Sequence, residues 1–141
     1  MFFNMLKVFA DGGARGNPGP AAVGVYVVDE NNRILCKVGQ KIGVATNNVA
    51  EYKAVIVALS LLLRKKELLT HRQIQIYLDS KLIFSQINGL FKIKNSVLRE
   101  LLFEVREKEA ELAVPIQYFH IPREQNKEAD KLVNLALDNK L

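Results

Sequence analysis

The hydrophobic pattern changes period partway along the chain, and this change restricts the fold more than any other feature of the sequence. From Met5 to Asp11, Ala22 to Asp29 and Arg33 to Ile42, β-branched and aromatic residues fill short runs separated by Gly-rich or polar turn chemistry. These runs predict an antiparallel meander of three strands. Over Asn47 to Arg64 the period lengthens: Ala50, Ala54, Val57, Ala58, Leu61 and Leu62 recur at helical spacing and give a helix one face to lay on the sheet. A strand from Gln73 to Asp79 follows, then a short helix from Ser80 to Asn88 stopped by Gly89 and an amphipathic helix from Asn95 to Leu112. A strand from Val114 to Ile121 and a closing helix from Asn126 to Leu137 complete the order. Strands reached through helices cross over and lie parallel to a neighbour, so the expected fold is α/β with a mixed sheet flanked by helices.

With 141 residues, 49% of them apolar, the chain can bury one core without covalent staples and reads as a single domain over residues 1–141. No repeat, linker or low-complexity stretch interrupts it. Cys36 is the only cysteine, which excludes an internal disulfide and makes the reducing cytoplasm the expected location. It lies in an apolar alternating run, where a buried, inert thiol is expected. Met1 to Ala10 is apolar, but Lys7 and Asp11 interrupt it well short of a signal-peptide core, so it reads as the first strand. No run reaches the roughly eighteen apolar residues of a membrane span, and no membrane partner is expected. The 20 basic residues against 15 acidic ones, a formal charge of +5, point weakly to a polyanionic partner. Ordinary surface solubilisation accounts for that excess equally well.

Four carboxylates stand out by position. Asp11 falls at the end of the first predicted strand, Glu51 in the first turns of a helix, Asp79 at the end of the fourth strand, and Asp130 in the first turn of the last helix. Each has an ordinary structural explanation when taken alone. Asp11-Gly12 is a hairpin signal, Asn48-x-x-Glu51 is close to a capping box, and Asp79 or Ser80 can cap the next helix. Asp130 suits the dipole of a helix capped by Asn126. Together they occupy the places from which one rim of a mixed sheet would be lined. Four converging carboxylates repel one another unless divalent cations neutralise them, and hard oxygen donors select Mg²⁺ or Mn²⁺. Two such ions, roughly 3.5–4 Å apart, would serve phosphodiester hydrolysis by in-line displacement.

The strings around these acids resemble the type 1 ribonucleases H from Lys7 to about Asp138. They are Phe9-Ala10-Asp11-Gly12-Gly13 with Gly16-Asn17-Pro18-Gly19-Pro20, Thr46-Asn47-Asn48-Val49-Ala50-Glu51, Tyr77-Leu78-Asp79-Ser80, and Pro122-Arg123-Glu124-Gln125-Asn126-Lys127-Glu128-Ala129-Asp130. All four occur in the family's order, each carrying its acid. The resemblance implies a ribonuclease H-like, five-stranded mixed sheet of order 3-2-1-4-5. It also implies endonucleolytic cleavage of the RNA strand of an RNA/DNA hybrid, leaving 5′-phosphate and 3′-hydroxyl ends, by a protein expected as a monomer. Asp11 and Asp79 would bridge two ions, Glu51 would hold one of them near a 2′-hydroxyl, and Asp130 would hold the other.

Substrate contacts are expected from the Gly12 to Pro20 loop, where Gly12 and Gly13 let backbone come close, and from Asn17, Asn47 and Asn48, whose amides can meet sugar hydroxyls. Thr46 resembles the position that grips a DNA phosphate, and Ser80 and Arg123 join the substrate set. Three departures from well-studied members stand out. Lys81 replaces a common Gln and can pair with phosphate but cannot accept from a 2′-hydroxyl. The stretch between the third and fourth acids is short and has few basic clusters beyond Lys92 and Lys94, so the basic protrusion of some members is expected to be absent, which predicts modest, salt-sensitive affinity. His120 stands where some members have a mobile loop histidine, but here it reads as a strand residue with a satisfied hydrogen bond. The rival readings are a catalytically weak or silent nucleic-acid-binding module on the same fold and another two-metal nuclease that shares the sheet.

Overall fold

The computed structural model describes residues 4–141, so the first three residues of the stretch read as opening the first strand lie outside the described residues. The order is β1 (Asn4–Ala14), β2 (Gly19–Val28), β3 (Ile34–Ala45), α1 (Asn47–Arg64), β4 (Arg72–Leu78), α2 (Lys81–Ile87), α3 (Ser96–Leu112), β5 (Ile116–His120) and α4 (Lys127–Leu137). Short 3-10 turns at Lys66–Leu69 and Arg123–Gln125 lead into β4 and α4. The strands form one sheet in the expected order β3-β2-β1-β4-β5. β1 to β3 pair antiparallel, and β4 pairs parallel with both β1 and β5. Among the described residues, no helix is long and apolar enough to cross a membrane.

Period-two alternation along β1 sends its residues to two different helices. Leu6, Val8 and Ala10 are fully buried against the α1 face with Tyr52, Ala54, Val55 and Leu59. Each large apolar side chain buried there contributes about 2 kcal/mol. α1 is thereby held firmly on the sheet, and with it Glu51. The alternate residues of β1 and β2 face α4, where Ala22 packs with Val133 and Ala136.

Two expectations about boundaries are corrected. Asp11 does not end its strand, because Gly12, Gly13 and Ala14 continue β1 and pair with Val23, Ala22 and Ala21. The expected Gly12 to Pro20 loop therefore shrinks to Arg15–Pro18 between β1 and β2. The reason is packing: a Cβ at Gly12 would lie 2.1 Å from the Ala50 carbonyl oxygen and 2.7 Å from the Glu51 nitrogen. Glycine here lets the start of α1 press directly on the strand, a demand that sequence shares with a turn. Cys36, expected buried, is only half buried and packs at the margin of the core.

Gly24 performs the same service on the other face. A Cβ there would lie 2.1 Å from the Ala129 carbonyl oxygen and 3.0 Å from the Leu132 Cβ, so Gly24→Ala must push α4 away from β2. We expect a loss of about 2 kcal/mol, read as a lower urea midpoint at unchanged slope. An unchanged midpoint would mean that α4 adjusts freely on the sheet.

Candidate active site

Parallel pairing puts two of the acids side by side. β1 and β4 register Phe9 against Tyr77, and two residues further on, on the same face of each strand, stand Asp11 and Asp79. Beneath them Phe9, Tyr77 and Phe119 stack across three strands at 4.8 and 5.3 Å between ring centroids, which braces the strand ends against one another. Ser80 takes the helix-capping role, its Oγ accepting from the Ile83 N–H at 3.2 Å, and this leaves the Asp79 carboxylate free for the cleft.

The third acid arrives on α1. The cap of this helix is Thr46, whose Oγ1 accepts from the Val49 N–H at 3.2 Å, and not Asn48, so the capping box that would have occupied Glu51 does not form. Thr46 precedes the two asparagines and has the extended backbone that a cap requires. Glu51 turns instead toward the strands, and carboxylate oxygens of Asp11, Glu51 and Asp79 lie within 4.8 Å of one another. Asp130 lines the same cleft, which has a volume of about 420 Å³ and carries Arg15 and Arg123 in its walls.

Helix α4 departs from expectation at its first residue. Asn126 occupies the cap position, but its side chain makes no capping bond. Its Nδ2 donates to Asp79 Oδ2 at 2.7 Å and to the Ala10 carbonyl at 3.0 Å. Reading an asparagine at a helix start as a cap concealed this role, and no signal in the sequence distinguishes the two. Arg15 also escaped notice: it donates to Asp138 at 2.6 Å and to Asn134 at 3.3 Å, so the β1–β2 turn is tied to the end of α4. Its place in the cleft wall follows from the lengthened β1.

The electrostatics are those of charges crowded out of water. Burial, then the Asp79 charge and then Asp130 push the Asp11 carboxyl up to about 7, against an opposing hydrogen bond with Glu51. Glu51 lies well above the ordinary carboxylate range, first from burial and then from the charges of Asp11 and Asp79. Its Oε2 is buried without a hydrogen-bond partner. An orphaned carboxylate oxygen among like charges is costly unless a cation meets it. The all-oxygen donor set suits a hard divalent ion.

All but two of the remaining predicted site residues divide between two clefts. Gly12, Gly13, Asn47 and Arg123 join the acids. Asn17, Thr46 and Asn48 line a neighbouring cleft of about 340 Å³ with Val49, Asn95, Val97 and Leu98. The two are bonded together: Asn17 Oδ1 accepts from the Asn47 N–H at 3.0 Å, and Asn47 Oδ1 from the Ala14 N–H at 2.9 Å. Ser80 is occupied as a cap, and Lys81 lies exposed at the start of α2. His120 is at the end of β5 with its Nε2 3.3 Å from the Asp79 carbonyl oxygen.

Comparison with known proteins agrees with this geometry. The family model described as reverse transcriptase-like matches residues 9–136. A ribonuclease H1 isolated from compost by a metagenomic approach is 41% identical, with a TM-score of 0.91 over 96% of each chain. The chain belongs to the type 1 ribonuclease H family. A second structure of the compost ribonuclease H1, in complex with an RNA/DNA hybrid, aligns with a TM-score of 0.90 at 40% identity, covering 95% of this chain and 97% of that one. Ribonuclease HI of Halobacterium salinarum is 37% identical over 137 residues, 95% of this chain and 65% of that protein. A bifunctional protein of Mycobacterium tuberculosis is 38% identical over 134 residues, 94% of this chain and 35% of that protein. The chain thus spans about a third of the mycobacterial relative and somewhat under two thirds of the halobacterial ribonuclease H.

Proposed function

We propose that the protein is an endonuclease that hydrolyses the RNA strand of RNA/DNA hybrids, leaving 5′-phosphate and 3′-hydroxyl ends, with Asp11, Glu51, Asp79 and Asp130 as its catalytic and metal-holding groups. The observation that carries this reading is the meeting of three carboxylates within 4.8 Å, one with a buried orphan oxygen, on a family scaffold. The acids would hold two ions, Mg²⁺ or Mn²⁺, with Asp11 and Asp79 shared between them. When bound, these ions supply an activated water and charge stabilisation for the leaving oxygen of an in-line displacement.

The chain's own residues would do the rest. Burial and mutual repulsion hold Asp11 and Glu51 toward their protonated forms, so a cation would have to displace protons from them and its affinity would rise with pH. The backbone of β1 at Gly12 and Gly13, which lines the acid cleft, would meet the substrate strand, and Asn17, Asn47 and Asn48 would present amides to sugar hydroxyls. Thr46 lines the second cleft, where it would meet a phosphate of the DNA strand, and Ser80 and Lys81, next to Asp79 in the chain, would contact the substrate beside it. The compost ribonuclease H1 that binds a hybrid supports this choice of substrate.

Arg123 is exposed in the wall of the acid cleft and would neutralise an RNA phosphate next to the scissile one. Arg123→Ala is therefore expected to raise KM for hybrid about fivefold and to lower the salt slope of binding by about one, with kcat within about twofold. An unchanged salt slope would remove Arg123 from the interface.

The test of the whole proposal is incubation with labelled RNA/DNA hybrid, double-stranded RNA, single-stranded RNA and duplex DNA, with Mg²⁺, Mn²⁺ or chelator. Cleavage confined to the RNA of the hybrid and abolished by chelator is expected. Tight hybrid binding without cleavage would favour the silent binding module, and cleavage of duplex DNA would favour another nuclease of this fold.

A further inference from the structure

Asn126 is 1% exposed at the point where α4 begins. One amide nitrogen sends its two N–H groups to two acceptors, the Ala10 carbonyl of β1 and the Asp79 carboxylate. The backbone carbonyl of Asn126 meanwhile accepts from the Asp130 N–H at 3.1 Å. This single residue is bonded to the strand carrying Asp11, to the side chain of Asp79 and to the backbone of Asp130.

The arrangement has a visible cost. Asn126 Oδ1 is buried and has no hydrogen-bond partner. Turning the amide over would set Oδ1 against two acceptors and strand the N–H groups, so the observed orientation is the only sensible one. A cap-only asparagine would satisfy its oxygen on the helix N–H groups and avoid this. The donor pair is what the position retains. No other side chain of this length replaces it, because Asp would bring another negative charge against Asp79, and Leu would leave two buried acceptors without donors.

We propose that Asn126 is a positioning residue of the acid cluster: its amide fixes the orientation of Asp79 and the approach of Asp130 to it, so that divalent-cation affinity and turnover both depend on it. This rests on the reading of the acids as a metal site. A residue acting through the ligands should move metal affinity and kcat and leave KM for hybrid nearly alone. A residue that merely pins α4 to β1 should move thermal stability alone.

The experiment compares wild type with Asn126→Ala and Asn126→Ser. Serine is a favoured cap and keeps α4 started if alanine prevents folding. Mn²⁺ binding is followed by calorimetry without nucleic acid, thermal midpoints are recorded, and hybrid cleavage is measured over a range of Mg²⁺ and hybrid concentrations below the midpoint of each variant. Loss of a group that orients a metal ligand typically weakens metal binding or activity by about 10- to 100-fold, and we expect that loss in both Mn²⁺ affinity and kcat, with KM within about threefold. Equal Mn²⁺ affinity and equal kcat in a folded variant, whatever its thermal midpoint, overturns the proposal. Absence of hybrid cleavage by wild type would instead overturn the functional reading, and the Mn²⁺ comparison would still decide the role of Asn126.

Discussion

Asp79→Asn is expected to lower kcat for hybrid cleavage by at least about 10³-fold while the protein folds, keeps its thermal midpoint within a few degrees and binds hybrid with near wild-type affinity. The substitution is nearly isosteric. Its retained carbonyl oxygen can still accept the Asn126 amide, now at 2.7 Å from Asp79 Oδ2, so the tie between β4 and α4 is kept. What is removed is one negative charge from the rim where Asp11 and Glu51 already strain against each other. If Asp79 is shared between two ions, both lose a ligand at once, and raising Mg²⁺ restores little of the rate. Turnover within tenfold of wild type would show that Asp79 is not a metal ligand, and the assignment of the other three acids would then need to be rebuilt. A variant that also fails to bind hybrid would point to a different fault, namely loss of the local fold.

The parts of this site that were legible in the sequence are those where chemistry and position coincide. Asp11 and Asp79 were visible only as members of a set: alone each passes for a turn or a cap, and it was their joint placement at strand ends, with the crossover through α1 setting their strands side by side, that marked them. The strand order was likewise implied by the family resemblance. Boundaries were less visible. Gly12 and Gly13 carry turn chemistry, yet they lie in the ladder because the carbonyl of Ala50 fills the space where a side chain would be, a contact between residues far apart in the chain. Asn48 had the look of a cap for α1, yet Thr46 serves, because it takes the extended backbone of a cap after β3 ends. Asn126 was concealed by a plausible local role, since its true partners lie 47 and 116 positions away. Local rules fail where a nonlocal contact makes the larger demand.

In chelator, the protein is expected to lose stability as pH rises from about 4 to about 7, the reverse of the usual trend for a domain rich in carboxylates. The sign follows from proton counting. Asp11 is held at about 7 in the folded chain against an ordinary 3.8, so between these values the folded state binds the proton that the unfolded state has released. Its unfavourable ionisation is absent below about 4 and complete above about 7. At roughly 1.4 kcal/mol for each tenfold step in proton affinity, the interval is worth on the order of 4 kcal/mol, and Glu51 acts in the same direction. The lowered carboxylates Asp29, Glu30 and Asp138 act below the ordinary carboxylate range, outside this window. The difference between wild type and Asp11→Asn isolates the effect, because asparagine cannot ionise. Without metal the variant should match wild type near pH 4 and exceed it by several kcal/mol at pH 8, read from urea midpoints. Mg²⁺ should reverse the order at pH 8, since only the full set of charges repays an ion bound to the native state. A difference that stays flat across this range, or wild type indifferent to Mg²⁺ and Mn²⁺ at pH 8, would mean that the acids are not close enough to share ions. The same repulsion that weakens the empty protein is what supplies the affinity for cations.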